Sequence, residues 1–211
     1  MNIESWKQAW ETNNIGFHKS KPHPQLVKYF GELNLIPGSR VFLPLCGKTL
    51  DIAWLLAQGM QVVGSEASQL AVEQLFQELG LEPSIMERSN GSCFSAENVT
   101  VYVGDIFELS EDDLGEIDAI YDRAALVALP IEHRKLYTKL LVDISRAAPQ
   151  LLITFEYDQN LKTGPPFSID SGEIYSHYNN TYVCTLVDSY MLPAGLKGSR
   201  VATENLWLLK K

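Results

Sequence analysis

The sequence has few cysteines and no pattern that would use them. Cys46, Cys93 and Cys184 are far apart, odd in number and form no Cys-x-x-Cys pair. A disulfide framework needs an even set of cysteines and a thiolate metal site needs closely spaced ones, so neither is expected. The 4 histidines also lack the spacing of metal ligands, and we predict no metal site. The cysteines are expected to be small buried thiols.

The chain also lacks an apolar run of about 18 residues, so we expect no membrane span. Its first residues are polar and charged, unlike a signal peptide, which favours a cytoplasmic location. Basic residues are scarce: 17 Lys and Arg face 26 Asp and Glu, a net charge of −9. Nucleic-acid partners usually require a basic face. We therefore expect no nucleic-acid partner. The expected partner is a small molecule, and the chain is expected to be a monomer.

What is present is an ordinary globular composition with alternating strands and helices. With 211 residues, 45% of them hydrophobic, the chain is predicted to form one domain. We divide it into an N-terminal helical arm, 1–38, and an α/β core, 39–211. The predicted strands lie at residues 40–45, 61–64, 99–103, 117–121, 151–155, 181–191 and 200–209.

This alternation predicts a doubly wound, mostly parallel seven-stranded sheet with helices on both faces. The last two strands, joined by a turn near residues 195–198, predict an antiparallel hairpin. A helix is predicted over residues 131–148, with Leu136, Leu140 and Ile144 facing inward. In the arm, Ile3, Trp6 and Trp10 share one helix face.

Ligands of such sheets bind beyond the carboxyl ends of the strands. Gly47 follows the first strand, and Glu66 ends the second, about 20 residues later. A glycine lets a ligand approach the backbone, and an acid at this spacing can accept both hydroxyls of a ribose. The alternative for Glu66 is an ordinary solvated acid. Because the loop lacks Gly-x-Gly-x-x-Gly, an adenosine ligand without pyrophosphate, such as S-adenosylmethionine, is favoured over the dinucleotide of an oxidoreductase.

Other strand ends and the arm carry further candidates, each with a structural alternative. Asp105 could accept from an adenine amino group while Ile106 packs on the ring, or Asp105 could cap a turn. Arg123 could bind a cofactor carboxylate or an anionic substrate, or pair with Asp122 or Glu156. Trp10 is either core or, with the Gly16-containing loop that follows it, part of a lid.

Several motifs, in order along nearly the whole chain, resemble those of the bacterial thiopurine S-methyltransferases. The block from Phe42 to Lys48 is the most specific of them. The motifs are Trp6-x3-Trp10, Ile15-Gly16-Phe17-His18, Val41-Phe42-Leu43-Pro44-Leu45-Cys46-Gly47-Lys48, Val62-Val63-Gly64-x-Glu66, Tyr121-Asp122-Arg123-x-Ala125-Leu126-Val127-Ala128 and Gly164-Pro165-Pro166-Phe167.

The resemblance implies S-methyl transfer from S-adenosylmethionine to a small, aromatic or heterocyclic thiol, with S-adenosylhomocysteine as the product. It implies cofactor contacts from Trp10, Leu45, Glu66, Asp105, Ile106 and Arg123, and it places Phe17 near the acceptor. Selenium and tellurium compounds are alternative acceptors. A thiol with a pKa near neutrality ionises without a strong general base, so no catalytic residue is assigned with certainty. Arg123 is the candidate for stabilising the thiolate.

Overall fold

The computed structural model describes residues 3–161, 163–193, 195–196 and 201–211. These residues form two compact units that divide between Ala119 and Ile120. The first unit contains α1 (Ile3–Glu11), α2 (Pro24–Tyr29), β1 (Arg40–Leu43), α3 (Leu50–Ala57), β2 (Gln61–Glu66), α4 (Gln69–Leu79), β3 (Ser84–Arg88), β4 (Gly91–Ala96), β5 (Val99–Val103) and α5 (Glu111–Leu114). Short 3-10 helices lie at Phe30–Leu33 and Ile106–Glu108.

The sheet of the first unit runs in the order β3-β4-β5-β2-β1. β1, β2 and β5 are parallel, whereas β3 and β4 form an antiparallel hairpin beside β5. The register pairs Leu43 with Gly64, and Glu66 with Val103. The carboxyl ends of three parallel strands therefore meet at one edge.

The helices of this unit begin and end where the sequence supplies capping groups. The side chain of Thr49 accepts the N–H of Asp51 at the start of α3. Ser68 accepts the N–H of Ala71 at the start of α4, and Gly80, with a φ of 68°, ends that helix. These caps fix where the loops after β1 and β2 stop.

The second unit begins within β6 (Ala119–Arg123), at Ile120. It also contains α6 (Ile131–Ile144), β7 (Gln150–Tyr157), α7 (Ser171–Tyr178), β8 (Val183–Met191) and β9 (Ala202–Lys210), with 3-10 helices at Leu126–Ala128 and Gln159–Leu161. β6 and β7 are parallel, and β9 lies antiparallel between β7 and β8. The predicted antiparallel hairpin is confirmed. Residues 197 and 198 of its predicted turn lie outside the described residues.

All seven predicted strands are present, but the predicted number of strands is wrong, because the described residues add the two strands of the β3–β4 hairpin and bring the number to 9. The prediction for α6 is wrong in two respects. The helix ends at Ile144, because Arg146 and Ala147 take positive φ values of 52° and 55°. Leu136 is 61% exposed and Leu140 is only half-buried, whereas Ile144 is buried as predicted. The other inward positions belong to Arg134, Tyr137, Thr138 and Leu141.

In the part of the chain that the structure describes, no helix has both the length and the apolar character needed to cross a bilayer.

Candidate active site

The loop after β1 is tied to the end of β2 by its backbone. The N–H of Cys46 donates to the carbonyl of Ser65 at 2.8 Å, and the N–H of Leu45 donates to the Ser65 hydroxyl at 3.2 Å. Leu45 and Gly47 both take positive φ values, 48° and 53°. The loop therefore has a defined shape, held by hydrogen bonds and not by glycine content.

Glu66 is the centre of this arrangement. Its side chain is buried, with Oε2 accepting the N–H of Gly47 at 2.8 Å and Oε1 accepting the N–H of Ser68 at 2.9 Å. Burial raises the pKa of Glu66, and the backbone N–H groups oppose that rise. The alternative of an ordinary solvated acid is therefore wrong.

The geometry of Glu66 fits a ribose. An ionised carboxylate offers about four acceptor positions, and the N–H groups of Gly47, Ser68 and Ala67 fix its orientation without using all of them. A ligand hydroxyl can therefore be accepted by a group that is already oriented before the ligand arrives.

Trp10 covers the loop from the arm. It is 5% exposed, and a Cβ atom placed on Gly47 would lie 2.6 Å from Trp10 Cζ2. Phe17 packs edge-on against both Trp10 and Trp6, with ring centroids 5.4 and 5.5 Å apart. We name Trp6, Trp10 and Phe17 the aromatic cluster. Trp10 is thus buried, as its core alternative predicts, and it is buried directly on the candidate cofactor loop.

Asp105 follows β5 at the same edge. Its Oδ1 accepts the N–H of Phe107 at 3.1 Å, so the capping alternative is confirmed, and its second oxygen can still serve a ligand. The neighbouring Gly104 donates to the carbonyl of Glu66 at 3.0 Å, which brings the two strand ends together. Ile106 is buried, and together with Asp105 it belongs to the lining of a small depression at this edge, so its packing on an adenine ring stays a prediction.

The β3–β4 hairpin contributes to the edge of the sheet at Asp105, and the sequence did not predict this hairpin. A Cβ atom on Gly104 would lie 2.5 Å from the carbonyl oxygen of Asn90, so the hairpin turn lies directly on the chain that leads to Asp105. A small depression there is lined by Arg88, Asn90 and Asp105, among others. The signal that could have located the turn is its Asn-Gly pair, Asn90 and Gly91.

Two residues of the loop motif have structural partners. Lys48 Nζ lies 2.7 Å from Glu78 Oε1 on α4. Cys46 is buried, and burial together with the nearby Glu66 carboxylate raises the pKa of its thiol well above the ordinary value. Cys46 is therefore a neutral thiol and not a nucleophile.

In the second unit, Arg123 is the last residue of β6 and is partly buried. The preceding Asp122 is 0% exposed, and its carboxylate accepts the Tyr137 hydroxyl at 2.7 Å and the N–H of Leu126 at 3.2 Å. Burial outweighs these hydrogen bonds and raises the pKa of Asp122 to about 6.

The Gly164–Phe167 motif is anchored within the same unit. The N–H of Phe167 donates to the carbonyl of Val127 at 2.6 Å, and the guanidinium of Arg134 lies 5.2 Å from the Phe167 ring centroid. Arg134 in turn pairs with Glu173 at 2.8 Å. The motif is therefore part of a fixed structure.

Comparison with solved structures defines the class of protein. The Burkholderia thailandensis 1,6-didemethyltoxoflavin-N1-methyltransferase, solved with S-adenosylhomocysteine, matches with a TM-score of 0.67 at 16% identity, covering 99% of this chain and 87% of its own. A methyltransferase from Thiobacillus denitrificans in complex with S-adenosyl-L-homocysteine matches with a TM-score of 0.61 at 14% identity and covers 96% of both chains. The fold is that of the S-adenosylmethionine-dependent methyltransferases, and the predicted fold class is confirmed.

Sequence comparison identifies the family. The profile described as Thiopurine S-methyltransferase (TPMT) matches residues 1–211. The thiopurine S-methyltransferase of Xanthobacter autotrophicus is 48% identical over 212 residues, covering 100% of both chains. That of Teredinibacter turnerae is 46% identical over 211 residues, covering 100% of this chain and 98% of its own.

The chain belongs to the thiopurine S-methyltransferase family, whose members are S-adenosylmethionine-dependent methyltransferases. The resemblance noted in the sequence is therefore confirmed, and the oxidoreductase alternative is wrong.

Proposed function

We propose that this enzyme transfers the methyl group of S-adenosylmethionine to the sulfur of a small aromatic or heterocyclic thiol. The observation that carries the cofactor part of this proposal is the Glu66 carboxylate, buried at the end of β2 and oriented by Gly47 and Ser68. The acceptor part is supported by the family to which the chain belongs.

Each candidate residue has a role in this proposal. Glu66 accepts the two ribose hydroxyls, Asp105 accepts the adenine amino group and Ile106 packs on the adenine ring. The loop at Leu45 lines the cofactor. Trp10 covers the loop and excludes water, and Phe17, in the same aromatic cluster, faces the acceptor. Arg123 holds a carboxylate of the cofactor or the thiolate of the acceptor, since its guanidinium is charged at every relevant pH.

When bound, S-adenosylmethionine supplies a methyl group activated by a sulfonium sulfur. The acceptor sulfur forms a bond to this methyl carbon as the old sulfur–carbon bond breaks, and the thiol proton leaves to solvent. A thiol with a pKa near neutrality is already substantially ionised, so no strong general base is needed. The main task of the protein is to align the two reactants within about 3–3.5 Å of each other. The cytoplasmic location and the monomeric state stay predictions.

A methyl-transfer screen tests the acceptor class. Purified enzyme and labelled cofactor are incubated with aromatic thiols, aliphatic thiols and selenium or tellurium compounds, and labelled products are counted. We expect the highest kcat/KM for aromatic and heterocyclic thiols. Exclusive methylation of the selenium or tellurium compounds would show that the acceptor class is wrong while leaving the cofactor assignment intact.

A further inference from the structure

The turn that carries Arg123 is built around the side chain of Asp122. The Asp122 Oδ1 accepts the N–H of Leu126 at 3.2 Å, and its Oδ2 accepts the Tyr137 hydroxyl at 2.7 Å. The N–H of Ala125 is a further donor to the same carboxylate. Residues 122–126 are thereby folded around one buried group.

The backbone of this turn needs that support. Ala124 has a φ of 63°, in the left-handed region that is unfavourable for a residue with a Cβ atom. Arg123 lies between Asp122 and Ala124, so the conformation of Ala124 decides the direction in which the chain leaves Arg123. Loss of the hydrogen bonds to Asp122 would free the turn to relax.

Tyr137 links the turn to α6. Its ring is 0% exposed, so the hydroxyl is held in place by packing. The same helix is held at a second point, three residues before Tyr137, because Arg134 donates to both carboxylate oxygens of Glu173 at 2.8 Å and to the carbonyl of Leu129 at 2.8 Å. The hydroxyl that meets Asp122 is therefore a rigid donor.

We propose that Asp122 and Tyr137 are positioning residues for methyl transfer, because their hydrogen bond holds the turn that aims the guanidinium of Arg123. The inference rests on the proposed function, which gives Arg123 an anionic partner.

The test uses a pair of matched variants. Tyr137→Phe removes the hydroxyl that meets Asp122, whereas Tyr182→Phe removes a hydroxyl of the same unit that donates to the carbonyl of Ala148 at 2.9 Å. The variant Arg123→Lys is measured first, to show whether Arg123 controls the cofactor Kd or kcat at saturation. The constant that changes is called the affected constant. We expect Tyr137→Phe to worsen that same constant on the order of tenfold, and Tyr182→Phe to leave both constants unchanged.

A double variant separates position from stability. In an Arg123→Ala background, Tyr137→Phe should have no further effect on the affected constant, because the residue that it positions is gone. Thermal unfolding should show similar decreases in Tm for Tyr137→Phe and Tyr182→Phe. The decrease for Tyr182→Phe measures the general effect of losing a buried hydroxyl.

The outcomes distinguish the inference from the proposed function. If Arg123→Ala is impaired and Tyr137→Phe is normal, or if Tyr137→Phe has the same effect in both backgrounds, the positioning role is wrong and the proposed function stands. If Arg123→Ala is normal in both constants, the role of Arg123 in the proposed function is wrong, and the positioning role falls with it.

Discussion

Glu66 serves the protein and the proposed ligand with the same two oxygens. One oxygen holds the loop at Gly47 and the other holds the start of α4 at Ser68. A neutral amide in its place would keep the size of the side chain but would accept hydrogen bonds at only one end. Cofactor binding and local structure are therefore coupled at this residue.

Glu66→Gln should weaken cofactor binding by about 1.5–3 kcal/mol, the range for hydrogen bonds to a charged group. It should also lower the stability of the ligand-free protein by about 1–3 kcal/mol, because the N–H of Gly47 or Ser68 loses its acceptor. Calorimetric titration with S-adenosylhomocysteine and urea unfolding measure the two effects. Glu73→Gln, on the exposed side of α4, is the control, and an unchanged Kd for Glu66→Gln would remove Glu66 from the site.

Asp122 should make stability depend on pH. Its pKa is about 6 in the folded protein against 3.8 as the ordinary value, so the folded state binds the proton more tightly. The stabilisation is present below pH 4 and is lost as the pH rises through 6, about 3 kcal/mol in all. Urea unfolding across this range should show that the free energy of unfolding of the wild type falls, relative to that of Asp122→Asn, as the pH rises. A constant difference would contradict the raised pKa.

At the scale of elements, the sequence predicts strands with apolar faces and misses those without them. β1 was predictable because Val41, Phe42 and Leu43 are all buried. β3 was not, because the first four of its five residues are exposed and its residues do not alternate. The inward face of α6 was predicted from leucines, yet Arg134 and Tyr137 occupy it. Such residues can be buried because Glu173 and Asp122 satisfy their polar atoms, and those partners are distant in sequence.

The β3–β4 hairpin should matter for the site through its contact at Gly104. Gly104→Ala places a Cβ atom 2.5 Å from the Asn90 carbonyl oxygen, at a φ of 148°. We expect a loss of about 1–3 kcal/mol in unfolding free energy, as for other overpacked positions, together with weaker cofactor binding through displacement of Asp105. Gly31→Ala is the control, since nothing lies within 4 Å of its Cβ position. Equal stability of the two variants would contradict the contact.

The N-terminal arm should become more protected when the cofactor binds. The aromatic cluster packs on the loop at Gly47, so stabilising that loop stabilises the arm that covers it. Amide hydrogen exchange of residues 3–23 should slow on addition of S-adenosylhomocysteine. Exchange in the β8–β9 hairpin provides the internal reference. Unchanged rates in the arm would mean that it is docked core with no part in binding.

At the scale of the whole molecule, the strand ends were predictable and their supports were not. Gly47, Glu66 and Asp105 lie at or just after the ends of strands that the apolar runs predict. They are expected to converge because the carboxyl ends of parallel strands lie at one edge of the sheet. The burial of Glu66 and the hydrogen bond between Tyr137 and Asp122 depend on packing between distant segments, which no local pattern reports. The division into an arm, 1–38, and a core, 39–211, stays a prediction.

Ligand binding should raise the stability of the whole chain. A ligand that binds only the folded state at a hundred times its Kd adds about 2.7 kcal/mol to the free energy of unfolding. A titration with S-adenosylhomocysteine followed by scanning calorimetry should therefore raise Tm progressively. Glu66→Gln should show a smaller rise at the same concentration. A wild-type Tm that does not respond would contradict cofactor binding.

The ion pair between Lys48 and Glu78 has a consequence for molecules that compete with the cofactor. A lysine directly after a glycine, at the start of a helix, would otherwise be well placed to attract the phosphates of ATP, which carries the same adenosine. Here the ammonium group is already neutralised 2.7 Å from a carboxylate, in a chain with a net charge of −9. A polyanionic nucleotide would have to compete with Glu78 for this lysine and would meet the repulsion of an acidic protein, so we expect the loop to favour adenosine ligands that carry no phosphate.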